Sequence, residues 1–164
     1  MKKVLFVITL VWCCLNSSAQ KFKYYDLNSV QKDTTQYLCK NFIEQKSYFI
    51  NKKFNEFLKY YEKDFSIGCI GIGMTSPYID PQGKSYVMCV DITWADSKMW
   101  NYIFKYHHNW LTRILITFKA PYTVEEEQFY KSVPDGALTS SAEALLLKDF
   151  IVSDIWIDGK YAKK

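Results

Sequence analysis

Arginine is nearly missing from this chain: Arg113 stands alone among 21 basic residues. Nucleic-acid readers set arginine forks in a dense basic patch, where the planar group meets phosphates and base edges with two bonds. A net charge of +4 over 164 residues supplies no such patch, so no nucleic-acid partner is expected and the lysines read as a solvated surface. Glycine (6) and proline (4) are scarce, which argues against collagen-like or linker-like character. Histidine occurs only as the adjacent pair His107 and His108. Neighbours on a strand point to opposite faces, and no cysteine stands at zinc spacing from them. No metal site is expected, and the pair reads as a polar turn. Gly68, Gly71 and Gly73 lack the following Lys-Ser/Thr and helix start that would hold phosphate. No nucleotide or other cofactor is expected, and these glycines read as a bulge or a close backbone approach. Glu125, Glu126 and Glu127 suit the positive end of a helix. No two carboxylates stand at a sugar-cleaving spacing, and Asp91 has no visible partner. No catalytic residue is expected.

What is present begins with a leader. Lys2 and Lys3 precede an uncharged run from Val4 to Leu15, and Ser17-Ser18-Ala19 offers the small residues a signal peptidase reads. Cleavage between Ala19 and Gln20 is expected, leaving a single domain over 20–164. The run is shorter than the ~20 residues that span a bilayer, and no other stretch is longer and as apolar. The mature chain is therefore expected to carry no transmembrane segment and to reach the periplasm or the outside. Lipid attachment at Cys13 or Cys14 is the rival reading. It fits poorly, because Trp12 stands where a lipoprotein signal has a small residue.

The periodicity places helices first. Asp33 and Gln36 form a capping-box pattern, with Leu38, Cys39, Phe42 and Ile43 on one face of a helix to about Lys46. Residues 20–32 read as a loose lead-in. Asn51 is the expected cap of a second helix, in which Phe54, Phe57, Leu58 and Tyr61 make one apolar stripe. The period then falls to two. Ile70, Ile72 and Met74 alternate along one strand, and Tyr86, Met88, Val90, Ile92 and Trp94 along another, around turn residues from Pro77 to Gly83. Even-numbered aromatics from Trp100 to Trp110 favour a strand over a helix starting at Ser97. Arg113 to Phe118 is a further strand. Thr123 to Glu126 is a capping box for a short helix to about Lys131, and Ser141 caps another turn or two. Phe150 to Ile157 is the last strand. The fold class expected is α+β: two N-terminal helices packed on an antiparallel meander of about five strands.

Loss of the leader leaves Cys39, Cys69 and Cys89. Pairing Ile70 with Met88 puts Cys69 directly opposite Cys89, at a Cα separation of about 4.5–5.5 Å. A disulfide accepts that separation, and export permits one. Cys39 is then a small buried residue on its helix face. The aromatic series, with Trp100, Tyr102, Tyr106 and Trp110 as its polar-tipped members, is either core or a partner surface, since rigid rings serve both.

The leader, the Phe54-to-Tyr61 stripe and the closing segment LLLKDFIVSDIWI resemble small exported bacterial proteins in which helices precede an antiparallel sheet. The layout is also similar to inhibitor-like two-layer domains that block periplasmic hydrolases. The resemblance implies the two-layer fold and assigns no residue a role. The function expected is an exported, non-catalytic binding module for a protein or a glycan. A small extracytoplasmic hydrolase using Asp91 or a Cys–His pair, and a structural envelope component, are the alternatives.

Overall fold

A computed structural model of the chain describes residues 21–75, 81–95, 98–99, 102, 112–131 and 141–158. The expected leader over 1–19, both histidines, and Trp100, Tyr106 and Trp110 lie outside them.

Helix α1 runs Thr34–Leu38. The Asp33 carboxylate accepts the Gln36 amide at 2.9 Å, as the capping pattern predicts. The helix widens into a π turn over Cys39–Ile43, where the Glu44 amide reaches back to the Cys39 carbonyl at 2.9 Å. Helix α2 is a single turn, Lys46–Phe49, and α3 is Phe54–Tyr61. The stripe on α3 is as expected: Phe54, Phe57, Leu58 and Tyr61 are all buried.

The expected cap Asn51 is corrected. Asn51 is left-handed, with φ 68°, and α3 begins after Lys53. The chain approaching α3 pairs with the chain entering the last strand instead. The amides of Asn51, Phe54 and Asn55 donate to the carbonyls of Val152, Phe150 and Lys148, at 2.9, 2.7 and 2.9 Å. The first amides of α3 thus find backbone oxygens, and no side-chain cap is present.

The strands are β1 (Cys69–Met74), β2 (Val87–Thr93), β3 (Arg113–Phe118) and β4 (Val152–Asp158). They form an antiparallel meander in the order β1-β2-β3-β4. The α+β class and the meander are as expected. The strand count is four among the described residues, against about five expected. The strand expected over Trp100 to Trp110 lies outside the described residues apart from Tyr102, and Lys98, Met99 and Tyr102 are helical. On the sequence alone, Met99, Trp100, Ile103 and Phe104 can share a helical stripe as readily as the even positions share a strand face.

Helices and sheet close on one core. Phe54, Phe57 and Leu58 share it with Ile70, Val90, Ile92, Ile114, Ile116, Val152 and Ile155. Phe54 meets Phe118 with ring centroids 5.4 Å apart. A bulge between Gly73 and Met74 puts Val87 opposite Met74 and turns it inward, so Val87 rather than Met88 fills the core. Helices α4 (Glu126–Lys131) and α5 (Ser141–Leu146) precede β4. The capping box at Thr123 is corrected too. The Glu126 amide donates to the Ser85 carbonyl at 2.9 Å, because 124–126 lies along 85–87.

The lead-in is not loose. Phe22 packs on Tyr60, Tyr48 and Phe49 at centroid distances of 4.2, 5.0 and 5.1 Å. Tyr24 donates its hydroxyl to the Asp64 carboxylate and lies 3.4 Å, oxygen to oxygen, from Tyr37. Burial, then the Asp64 carboxylate, push the Tyr24 hydroxyl up to about 12. Burial also pushes Tyr37 and Tyr61 up. A folded pKa above the unfolded value, about 10 for tyrosine, means the folded chain holds its protons longer. Stability from these phenols is complete below pH 10 and is lost as pH rises from there through about 12. Urea midpoints should therefore be flat up to about pH 9.5 and fall steeply above pH 10. Tyr24→Phe should lessen the fall.

Candidate functional site

Four strands with one face on the helices leave a second face. Alternation sends Cys69, Gly71 and Gly73 of β1 outward with Cys89, Asp91 and Thr93 of β2, Arg113, Leu115 and Thr117 of β3, and Asp154 and Trp156 of β4. The register sets Gly71, Asp91, Leu115 and Trp156 in one row across the sheet. The next row is Gly73, Cys89, Thr117 and Asp154. The face is buried at the corner of Cys69 and Thr93 and opens toward Trp156, which is 45% exposed.

Asp91 has the partner that the sequence hid. Its carboxylate accepts from the Arg113 guanidinium at 2.8 Å, with both side chains half-buried. The lone arginine of the chain is therefore spent on the sheet face, where a lysine would give no planar fork. The two glycines of β1 make room for this chemistry. A Cβ on Gly71 would stand 1.8 Å from an Asp91 carboxylate oxygen, and one on Gly73 would stand 2.3 Å from the Cys89 sulfur. The carboxylate and the thiol lie over bare backbone, which is the close approach the strand glycines signal. Burial, and then the Asp91 charge, raise the Cys89 thiol above its ordinary value, against a hydrogen bond from Gly73. Cys39 is raised by burial and by Glu44. Both thiols therefore stay protonated near neutral pH, and a thiol is a poor nucleophile.

The Cys69–Cys89 pair is corrected. The register pairs Cys69 with Thr93 and Cys89 with Gly73. Four residues along a strand separate the two thiols by about 13 Å, well outside the reach of a disulfide. None of Cys39, Cys69 and Cys89 forms a disulfide. Of the proposed partner surface, Tyr102 is described and is 58% exposed. Beyond the face, an open groove of about 460 Å³ lies between Lys119–Pro121 and Leu146–Ile151. Among the described residues no three His, Cys, Asp or Glu side chains gather to hold a metal ion. No described helix is long and apolar enough to cross a membrane. The chain matches no protein-family profile, no curated protein and no solved structure.

Proposed function

We propose that the chain is an exported, non-catalytic binding module, and that the outer sheet face receives a glycan. The observation that supports this is the row Gly71, Asp91, Leu115 and Trp156 with Arg113 beside it. An exposed indole offers a flat apolar surface to a sugar ring. A carboxylate and a guanidinium held together offer acceptors and donors to hydroxyls at fixed positions. Bare backbone at Gly71 and Gly73 lets the Asp91 carboxylate and the Cys89 thiol lie close against β1, which holds the carboxylate in place for a ligand. Rigid strands hold all of these groups, so little order must be gained on binding. The hydrolase reading has less support, because Asp91 is engaged with Arg113 and the half-buried thiols stay protonated.

Retention on immobilised envelope polysaccharides and peptidoglycan tests the proposal. Trp156→Ala should weaken retention about tenfold or more, the usual scale for loss of one aromatic anchor, with thermal unfolding little changed. Asp91→Asn should weaken it as well. Equal retention of both variants, or no retention of the native chain, would overturn the glycan reading. Alanine at Trp100, Tyr102 and Tyr106 serves as the comparison: loss of retention there with Trp156→Ala silent would move the site to the aromatic series.

A further inference from the structure

The helical layer carries a seat for extended peptide, and the chain fills it with its own N-terminal arm. Asn41 and Gln45 stand one helical turn apart. Each side-chain amide takes both backbone groups of one arm residue. Asn41 accepts the Tyr25 amide at 3.0 Å and donates to the Tyr25 carbonyl at 2.8 Å. Gln45 accepts the Lys23 amide and donates to the Lys23 carbonyl, both at 2.8 Å. The geometry matches because residues two apart on an extended chain advance about 6.7 Å, and residues four apart on a helix about 6 Å. Phe22 and Tyr24, at the alternate positions, fill the aromatic recess of Tyr48, Tyr60 and Tyr37. Val30 is buried and Leu27 packs on the core. Among the described residues, backbone–backbone bonds of 21–30 reach no further than Asp33.

The joint between arm and body is bent at a cost. Gln31 and Lys32 are consecutive non-glycine residues in the left-handed region, at φ 55° and 62°. A side chain there crowds the backbone. Short strained hinges favour exchange of an element between copies.

We propose that residues 21–30 are an exchangeable arm, and that the partner it fits is a second copy of this chain. In the exchanged dimer Gln31 and Lys32 extend, and each arm takes the Asn41–Gln45 seat of the other molecule. The contacts of Phe22 to Tyr25 with the Asn41–Gln45 seat and its aromatic recess are remade between chains, the two left-handed residues relax, and the turn bonds from the Gln31, Lys32 and Asp33 amides to the Asn28, Leu27 and Val30 carbonyls are given up. The inference does not depend on the reading of the outer sheet face.

The chain purified after expression with its own leader is followed by size exclusion with light scattering from micromolar to millimolar concentration. The expected result is a slowly exchanging monomer and dimer, with the dimer rising with concentration. Glycine adopts the bent joint without crowding, so Gln31→Gly with Lys32→Gly should lower the association constant by about tenfold or more. Gln31→Pro, whose ring forbids positive φ, should raise it. Monomer at every concentration in the native chain overturns the proposal. A dimer that the glycine pair leaves unchanged also overturns it, because another surface then joins the copies. Should Gln31→Pro fail to fold, the glycine pair still decides.

Discussion

Replacing Phe57 with alanine is expected to lower the free energy of unfolding by about 3–5 kcal/mol, read as a fall in the urea midpoint at constant slope. Phe57 is fully buried. Its ring lies 4.6 Å from Phe42, 5.7 Å from Phe49, and 5.8 Å from both Phe54 and Tyr61. Those rings belong to the π turn that follows α1 and to α2 and α3, so one side chain ties the helical layer together. Rings on separate short helices cannot collapse into the hole without moving their helices, which puts the cost at the upper end of the range. A domain of this size holds about 5–15 kcal/mol in total, so the variant stands near the limit of folding. Phe57→Leu keeps most of the volume and should cost less than about 2 kcal/mol. Near-equal midpoints for the two variants would mean that shape complementarity at this ring contributes little.

The layering was legible because it depends only on period. Phe54, Phe57, Leu58 and Tyr61 share a face at a period of 3.6, and Ile70, Val90, Ile92, Ile114 and Ile116 share one at a period of two. Both sets are buried together. Strand register was not legible, and the two facts are linked. The expected and observed pairings of β1 with β2 differ by four residues, an even shift. An even shift leaves every side chain before the bulge on its expected face, whereas a slip of one residue would have turned them all over. The apolar pattern therefore fixed the face and could not fix the partner. Partner choice follows from the centre of the turn, and turn residues are spread from Pro77 to Gly83. Each two-residue step of that centre moves the pairing by four.

The site was legible only in fragments. Strand glycines signalled a close approach, and Asp91 stood out as an isolated acid. Its partner Arg113 lies 22 residues away on another strand, and no spacing rule connects them. The scarcity of arginine was a usable signal: a residue used once, at the start of a strand, is placed for a geometry lysine cannot supply. The docked arm was missed because its partners, the amides of Asn41 and Gln45, sit on a helix face that reads as polar surface. Asn51 was misread for a similar reason. Asparagine suits both a helix cap and a left-handed turn, and the pairing of residues 51–55 with 148–152 chose the second.

Gly68→Ala and Gly71→Ala should both destabilise the fold, by different routes that a second substitution separates. At Gly68 a Cβ would meet the Trp94 carbonyl oxygen at 2.3 Å and the Ala95 carbonyl at 2.5 Å. These are backbone atoms, held by the Gly68 amide that donates to the Thr93 carbonyl at 2.9 Å. Relief requires the crossing of the two chains to open, at a cost of about 3 kcal/mol. At Gly71 the obstacle is the Asp91 carboxylate, 1.8 Å from the Cβ position. The carboxylate can turn away, but it then leaves Arg113, and the half-buried ion pair between them is lost. That cost is about 1–3 kcal/mol. Removing the obstacle in advance distinguishes the cases. In an Asp91→Ala background, Gly71→Ala should cost a few tenths of a kcal/mol, giving a coupling energy of about 1 kcal/mol or more between the two sites. The penalty at Gly68 should be unchanged by Asp91→Ala, because no side chain stands in its way. Additive costs for Gly71 and Asp91 in chemical denaturation would mean that the carboxylate does not rest over the bare backbone of Gly71, and the proposed ligand face would lose the feature that fixes its acceptor.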